Sequence, residues 1–551
     1  MSRVFLEPLV LVGLLSSPAV YSQTAPARDW LTWGYDPERT GWNKGETTLS
    51  KDNVSGLELK WSAQLSTPAR ELVLSTLTAP LVAEGVNTPQ GRKTLVYVVG
   101  SDDTVFAIDA DTGKIAWQKS FPNKIPPKQM TTWLCSNSQN ATPVIDKQKA
   151  ILYLNTTDGK LRGLGLGDGD ERIPATDFVV PYARNWSLNL IDDVIFSPSG
   201  RGCGGTMANI AGMDVSNPSH LQLSRVYTSS GRPSGPWGRG GVVRGPKGIY
   251  TQTADGLSDP ASGIYGETVL ALATKELRVV DSFTPANWRY LNAHDFDLGS
   301  ASPVVFPFRD WTLVASAAKE GVVYLLDANA LGGGPPDHSK PLYTSARLGN
   351  DEELLGGRGV WGAMATYEDP QGQRFLYVPM WGPASKNAPA FKYRYNDAPN
   401  GSVMAFQLSA DGGKPSLIPM WISRDMHVPD PPAVANGVVY AIQTGENTVQ
   451  NPGRGDVTGA ARGPAPPPPP QGGRGSDPAA MAASALENAK FRATPVSHLI
   501  LYAFDAETGK QLYSSEKIIT SWVHFSEPVV AAGKVFFVSW DAHVYAFGLK
   551  R

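Results

Sequence analysis

The chain has 551 residues and a formal net charge of −2, with 56 glycines, 45 prolines and 15 tryptophans. The near-neutral balance argues against a nucleic-acid partner, because there is no basic excess to offset phosphates, and no run of Lys or Arg marks a membrane-surface patch. The length exceeds one ordinary hydrophobic core, which points to a domain grown by repetition.

Arg3, the apolar run 9–15 and Pro18-Ala19-Val20-Tyr21-Ser22 predict an export signal over residues 1–22. The remainder, 23–551, is expected in the periplasm or secreted. No later run reaches the roughly 18 apolar residues of a membrane-spanning helix. An aromatic, glycine-punctuated opening follows (WLTWGYDPERTGW, 30–42), then a lone strand, LELKW, from Leu57 to Trp61.

The stretch VYVVGSDDTVFAIDADTGKIAW (96–117) reads as three strands. Ser101-Asp102-Asp103 turns the first into the second, and the turn 109–114 offers a carboxylate to backbone N–H groups and a Gly where φ must be positive. A second clear copy is LYAFDAETGKQL (501–512), and a truncated one, KVFFVSWDAHVYAF (534–547), closes the chain. Weaker copies begin near residues 151, 248, 313, 375 and 437. One such sheet cannot bury both faces, whereas a ring of them does. Starts near 78, 142, 191, 240, 302, 361, 432 and 528 predict an all-β, eight-bladed β-propeller of four-stranded antiparallel blades, its last blade closed by the N-terminal strand. The Pro/Gly-rich segment 451–497 has too little apolar surface to fold and interrupts the seventh blade as a loop, with a short helix possible at 479–490.

Repeats of the form A-x-D-x-x-T-G-K-x-x-W behind an export signal resemble the pyrroloquinoline quinone (PQQ) dehydrogenase family. They also fit the propeller scaffold proteins of outer-membrane assembly, which carry no cofactor. The resemblance to the dehydrogenases implies a quinone at one end of the propeller axis. It places Trp237, 18 residues before Asp255, as the flat floor beneath the quinone, and Asp297, in AHDFDLGSASP, as the general base. Lys319, in KEGVVYLLD, becomes the cation at the quinone's reactive oxygens. Asp255 takes the position of a metal-binding Asn, with Asp295 and Asp297 beside it, so Ca²⁺ is the implied ion. The two carboxylates at 295 and 297 are expected at a strand end, pointing the same way.

Three positions depart from the family. Cys203 stands where a metal-binding Glu is expected, and a thiol suits a hard cation poorly. Gly299 replaces the additional Asp of lanthanide-using members, and Trp381 an Asn near the substrate. Family members also carry adjacent cysteines over the quinone. Here Cys135 and Cys203 map to the cofactor end of neighbouring blades, implying either a Cys135–Cys203 disulfide or two unrelated buried thiols. The implied activity is oxidation of an alcohol or sugar by hydride transfer to PQQ. With no C-x-x-C-H haem motif, electrons would leave to an external acceptor such as a cytochrome c or membrane quinone. The alternative is a non-catalytic propeller serving in binding or envelope assembly, which the residue at 203 favours. A hydrolase is disfavoured, since there is no G-x-S-x-G.

Overall fold

The computed structural model describes residues 28–550, apart from 70–74, 130, 133, 201, 229–234, 335–336, 352–356, 449–482, 484–485 and 488–489. The expected leader and most of the 451–497 insertion therefore lie outside the described residues. The chain forms eight antiparallel blades arranged as a β-propeller. Blades 1 to 7 span residues 81–120, 144–177, 184–227, 243–283, 304–344, 359–422 and 433–514. Blade 8 takes three strands from 529–549 and its outermost from Leu57–Gln64, which pairs with His543–Leu549. Joining the two chain ends in one sheet leaves no blade with a missing strand. The insertion leaves blade 7 between Val438–Gln443 and Ile500–Asp505, which pair directly.

The repeat turn folds as its residues dictate. Asp109 Oδ1 accepts the N–H groups of Asp111 and Thr112, each at 3.0 Å, and Gly113 sits at φ 72°. The carboxylate of Asp505 serves the same turn in blade 7, where Gly509 also has φ 72°. Tryptophans on the outer strands of three blades then join one blade to the next. Trp61, Trp117 and Trp421 donate their indole N–H to the carbonyls of Ala110, Leu166 and Ala506 on the following blade, at 2.8–3.0 Å. Each ring lies where a Cβ on Gly113, Gly169 or Gly509 would collide, so glycine is needed for close approach as well as for its backbone angle.

The aromatic opening is an axial strap. Trp30 exchanges hydrogen bonds with Val82 in blade 1, and Leu31 O accepts from Ile145 in blade 2. Pro37 O accepts from Asn189 Nδ2 in blade 3 and from Arg244 N in blade 4. Glu38, Thr40 and Gly41 carbonyls accept from Val305, Thr366 and Val434 in blades 5, 6 and 7, and Asn43 Nδ2 donates to Val530 O in blade 8. The strap thus meets the first strand of every blade in order. Arg39, wholly buried, holds it on the axis through Gly240 O (2.9 Å), Leu188 O (2.9 Å) and Trp33 O (2.5 Å).

Candidate functional site

Turns that enter the first strands and leave the second strands converge at one end of the axis. From blade 4 come Trp237, before its first strand, and Asp255, after its second; Asp297 and Lys319 hold the equivalent places in blade 5. Asp295 and Asp297 do not sit at a strand end, as the sequence suggested. Asp295 caps the helix Trp288–His294 in a left-handed conformation (φ 56°, ψ 37°), and Asp297 precedes the short 3₁₀ turn Leu298–Ser300. A helix inserted before the acids re-aims both inward, which an alternation argument misses.

The structure brings the expected residues together. Lys319 Nζ donates to Asp297 Oδ2 at 2.6 Å and to the Asp295 carbonyl at 3.0 Å, with Asp295 Oδ1 at 3.4 Å. The same ammonium lies 5.3 Å from the ring centres of both Trp237 and Trp361, within cation–π range. Asp297 Oδ1 accepts the Asp255 N–H at 3.3 Å. One carboxylate oxygen from each of Asp255, Asp295 and Asp297 lies within 4.8 Å of the others. Cys135 and Cys203 form a disulfide, their Cα atoms 5.4 Å apart, joining the loop after blade 1 to blade 3. A disulfide sulfur is no metal ligand, so position 203 contributes nothing to a cation.

Sequence reasoning missed three parts of this site. Glu267 is fully buried, accepts the Leu298 N–H at 2.6 Å and has no hydrogen-bond partner for Oε1. Burial, then the Asp297 carboxylate, holds its carboxyl well above the usual range. The axis beneath is filled by aromatic rings. Trp361 meets Trp237 edge-on at 5.0 Å and stacks on Trp381 at 4.6 Å, and Trp186, Trp522, Trp540 and Phe525 extend the cluster. Trp381 is thus a fully buried stacking ring. Below that, Arg239 joins Asp430 (2.6 Å) and Glu527 (3.6 Å), while His524 Nδ1 and Glu446 Oε2 lie 2.5 Å apart. No local motif signals these residues; the ring of blades assembles them from distant segments.

Solved structures share this fold. The chain aligns with the quinohemoprotein alcohol dehydrogenase ADHIIG from Pseudomonas putida HK5 at 12% identity and TM-score 0.58, covering 95% of this chain and 80% of that one. The chain has the eight-bladed propeller fold of these solved structures. A quinohemoprotein alcohol dehydrogenase from Comamonas testosteroni matches at 14% identity and TM-score 0.56, covering 96% of this chain and 82% of the other. A europium-containing methanol dehydrogenase matches at 12% and 0.55, covering 95% and 98%. Residues 59–176 match the family model described as outer membrane protein assembly factor BamB, a span that covers most of the closing strand and blades 1 and 2 of this propeller. No protein of curated function matches the sequence. No helix among the described residues is long and apolar enough to cross a membrane.

The donor chemistry fits the groups carried by such a fold. Three clustered carboxylates are hard oxygen donors suited to a cation of the calcium class. A broad indole beside an ammonium and a carboxylate suits a planar, electron-accepting ring. The residues are closed in, however: Trp237, Asp297 and Lys319 are 4%, 0% and 3% exposed. A planar ligand would reach these side chains only with a shift of the surrounding turns.

Proposed function

We propose that this chain is an exported, periplasmic quinoprotein oxidoreductase that oxidises an alcohol or sugar, using PQQ and a Ca²⁺-class ion and passing electrons to an external acceptor such as a cytochrome c. The observation that carries the reading is the Lys319–Asp297 pair at 2.6 Å beside the Trp237 ring, with two further carboxylates around it. Trp237 would hold the quinone by its face, and Asp255, Asp295 and Asp297 the cation. The bound quinone supplies the two-electron acceptor that no amino-acid side chain offers.

The chain's own residues then have distinct tasks. Asp297 Oδ2 accepts the hydroxyl proton of the substrate, as a carboxylate at hydrogen-bond range does in general-base catalysis. The Lys319 ammonium fixes that carboxylate through the 2.6 Å ion pair and would offer its positive charge to the oxygens of a quinone held there. Glu267 anchors the N–H of Leu298, the residue after the base, and so holds the turn from which Asp297 projects.

Prolonged incubation of the purified protein with PQQ and Ca²⁺ should give the absorption of bound quinone, and dye-linked oxidation of primary or secondary alcohols should follow. D297N should keep the absorption and lose turnover by 10²-fold or more, the usual scale of a lost general base. W237A should lose the absorption. Failure of the wild-type protein to bind quinone at all would overturn the proposal. A second reading, a non-catalytic propeller serving in binding or envelope assembly, draws on the closure of Trp237, Asp297 and Lys319 and would then take its place.

A further inference from the structure

A groove of about 590 Å³ runs along the flank of blade 4, outside the axial site. Its floor is the outer strand Val279–Phe283. One wall is a small hairpin, Ser258–Asp259 paired with Ile264–Tyr265, and the other is the 284–288 segment leading into the helix, with the turn 337–339 at its end. Such a volume is in the range of small-ligand pockets.

The lining has a definite chemical character. Trp288 and Tyr265 provide aromatic surface, and Ser258, Thr284 and Ser339 provide hydroxyls. His338 Nδ1 lies 3.1 Å from the Ser282 carbonyl and 3.4 Å from Asp281 Oδ1, both acceptors, so Nδ1 carries a proton and Nε2 is left to meet a ligand. Asp259, Asp281 and Asp337 line the groove and neither Lys nor Arg does, although the Arg289 guanidinium covers one face of Trp288, 4.5 Å from its ring centre, and leaves the other face for a ligand. Anionic ligands are therefore disfavoured. A cation gains little, because Lys247 already meets Asp281 at 2.6 Å from behind and Lys340 meets Asp337 at 3.3 Å, leaving only the exposed Asp259 without an ion pair among the described residues.

We infer that this groove binds a short run of neutral sugar rings, whose hydroxyls donate to Asp259, Asp337 and His338 while an apolar ring face lies on Trp288. Aromatic surface beside acceptor-rich, uncharged-ligand geometry is what a polyol with one apolar face requires. The site's position gives binding a consequence. The hairpin wall grows directly from Asp255, the opposite wall runs through the helix to Asp295, and Gly256 N donates across to Asn292 Oδ1 at 2.7 Å. A bound saccharide braces the two segments that carry the acidic group. This inference stands apart from the quinone reading, since it needs neither quinone nor metal.

Titration calorimetry of the mature chain, without PQQ, against cellotriose, maltotriose and mannotriose tests it. At least one should bind saturably. W288A should weaken that binding at least tenfold and D259N several-fold, each with an unchanged circular-dichroism spectrum. If W288A does not fold, D259N at the exposed rim still decides. Absence of binding by all three sugars at millimolar concentration would overturn the inference. So would affinity unchanged in both folded variants, or a groove that takes choline and no sugar.

Discussion

At the scale of single residues, the site is a balance of buried charge. Lys319 stands among Asp255, Asp295 and Asp297, with Glu267 behind them. Trp237, Asp297 and Lys319 were singled out through the family resemblance, each by its match to a family motif, and the structure places the three side chains side by side. Glu267 was not legible, since a lone Glu after Tyr265-Gly266 carries no spacing signal and gains meaning only beside Leu298. The Arg239–Asp430–Glu527 group was hidden for the same reason. Burial raises the Glu527 carboxyl to about 7 from its ordinary 4.5, despite the guanidinium of Arg239. The folded state therefore binds more protons than the unfolded state between about pH 4.5 and 7, and the Glu527 contribution to stability, full below that window, falls as pH rises through it. Thermal melts from pH 5 to 8 should show the wild-type protein losing stability relative to E527Q as pH rises; a constant difference would contradict the assignment.

At the scale of elements, the repeat turn and the tryptophan that follows it were readable almost completely. Their chemistry is local: a carboxylate for exposed N–H groups, a glycine for a positive φ, an indole for the next blade. Trp421 is fully buried between blades 6 and 7, so W421A should cost about 3–5 kcal/mol, measurable by denaturant unfolding. The segment around Asp295 and Asp297 was misjudged in conformation though not in place, because seven residues of helix, Trp288–His294, lie between strands that otherwise follow the repeat. The Cys135–Cys203 bridge, one of two alternatives left open by the sequence, ties elements 68 residues apart. Cross-linking a loop of that length removes about 4 kcal/mol of chain entropy from the unfolded state. C135S/C203S should therefore unfold at clearly lower denaturant while retaining the propeller's circular-dichroism spectrum.

At the scale of the whole molecule, ring closure was foreseen from a missing strand, and Leu57–Gln64 supplies it. The strap was not foreseen, because 30–42 has neither strand alternation nor helical period. Its order is imposed by the blades it crosses. Deleting 28–46 while keeping 57–64 should leave eight blades but strip the first strands of partners and unseat Arg39 from Gly240 and Leu188. Native-state hydrogen exchange should then show faster exchange at Val305, Thr366 and Val434, whose N–H groups the strap accepts. Unchanged protection there would mean the strap merely decorates the ring.

Synthesis runs from Trp30 towards Val530, yet the last partner of the strap, the carbonyl of Val530, is made nearly at the end. The strap, made before every blade it crosses, is therefore among the latest segments to settle. Trp30 can meet Val82 as soon as blade 1 exists and Trp42 can meet Tyr367 once blade 6 does, but the bond of Asn43 to Val530 waits for blade 8, a window in which aggregation competes with folding. A nascent polypeptide of this design gains from a holding factor, or from a route that delivers it whole before it attempts to close.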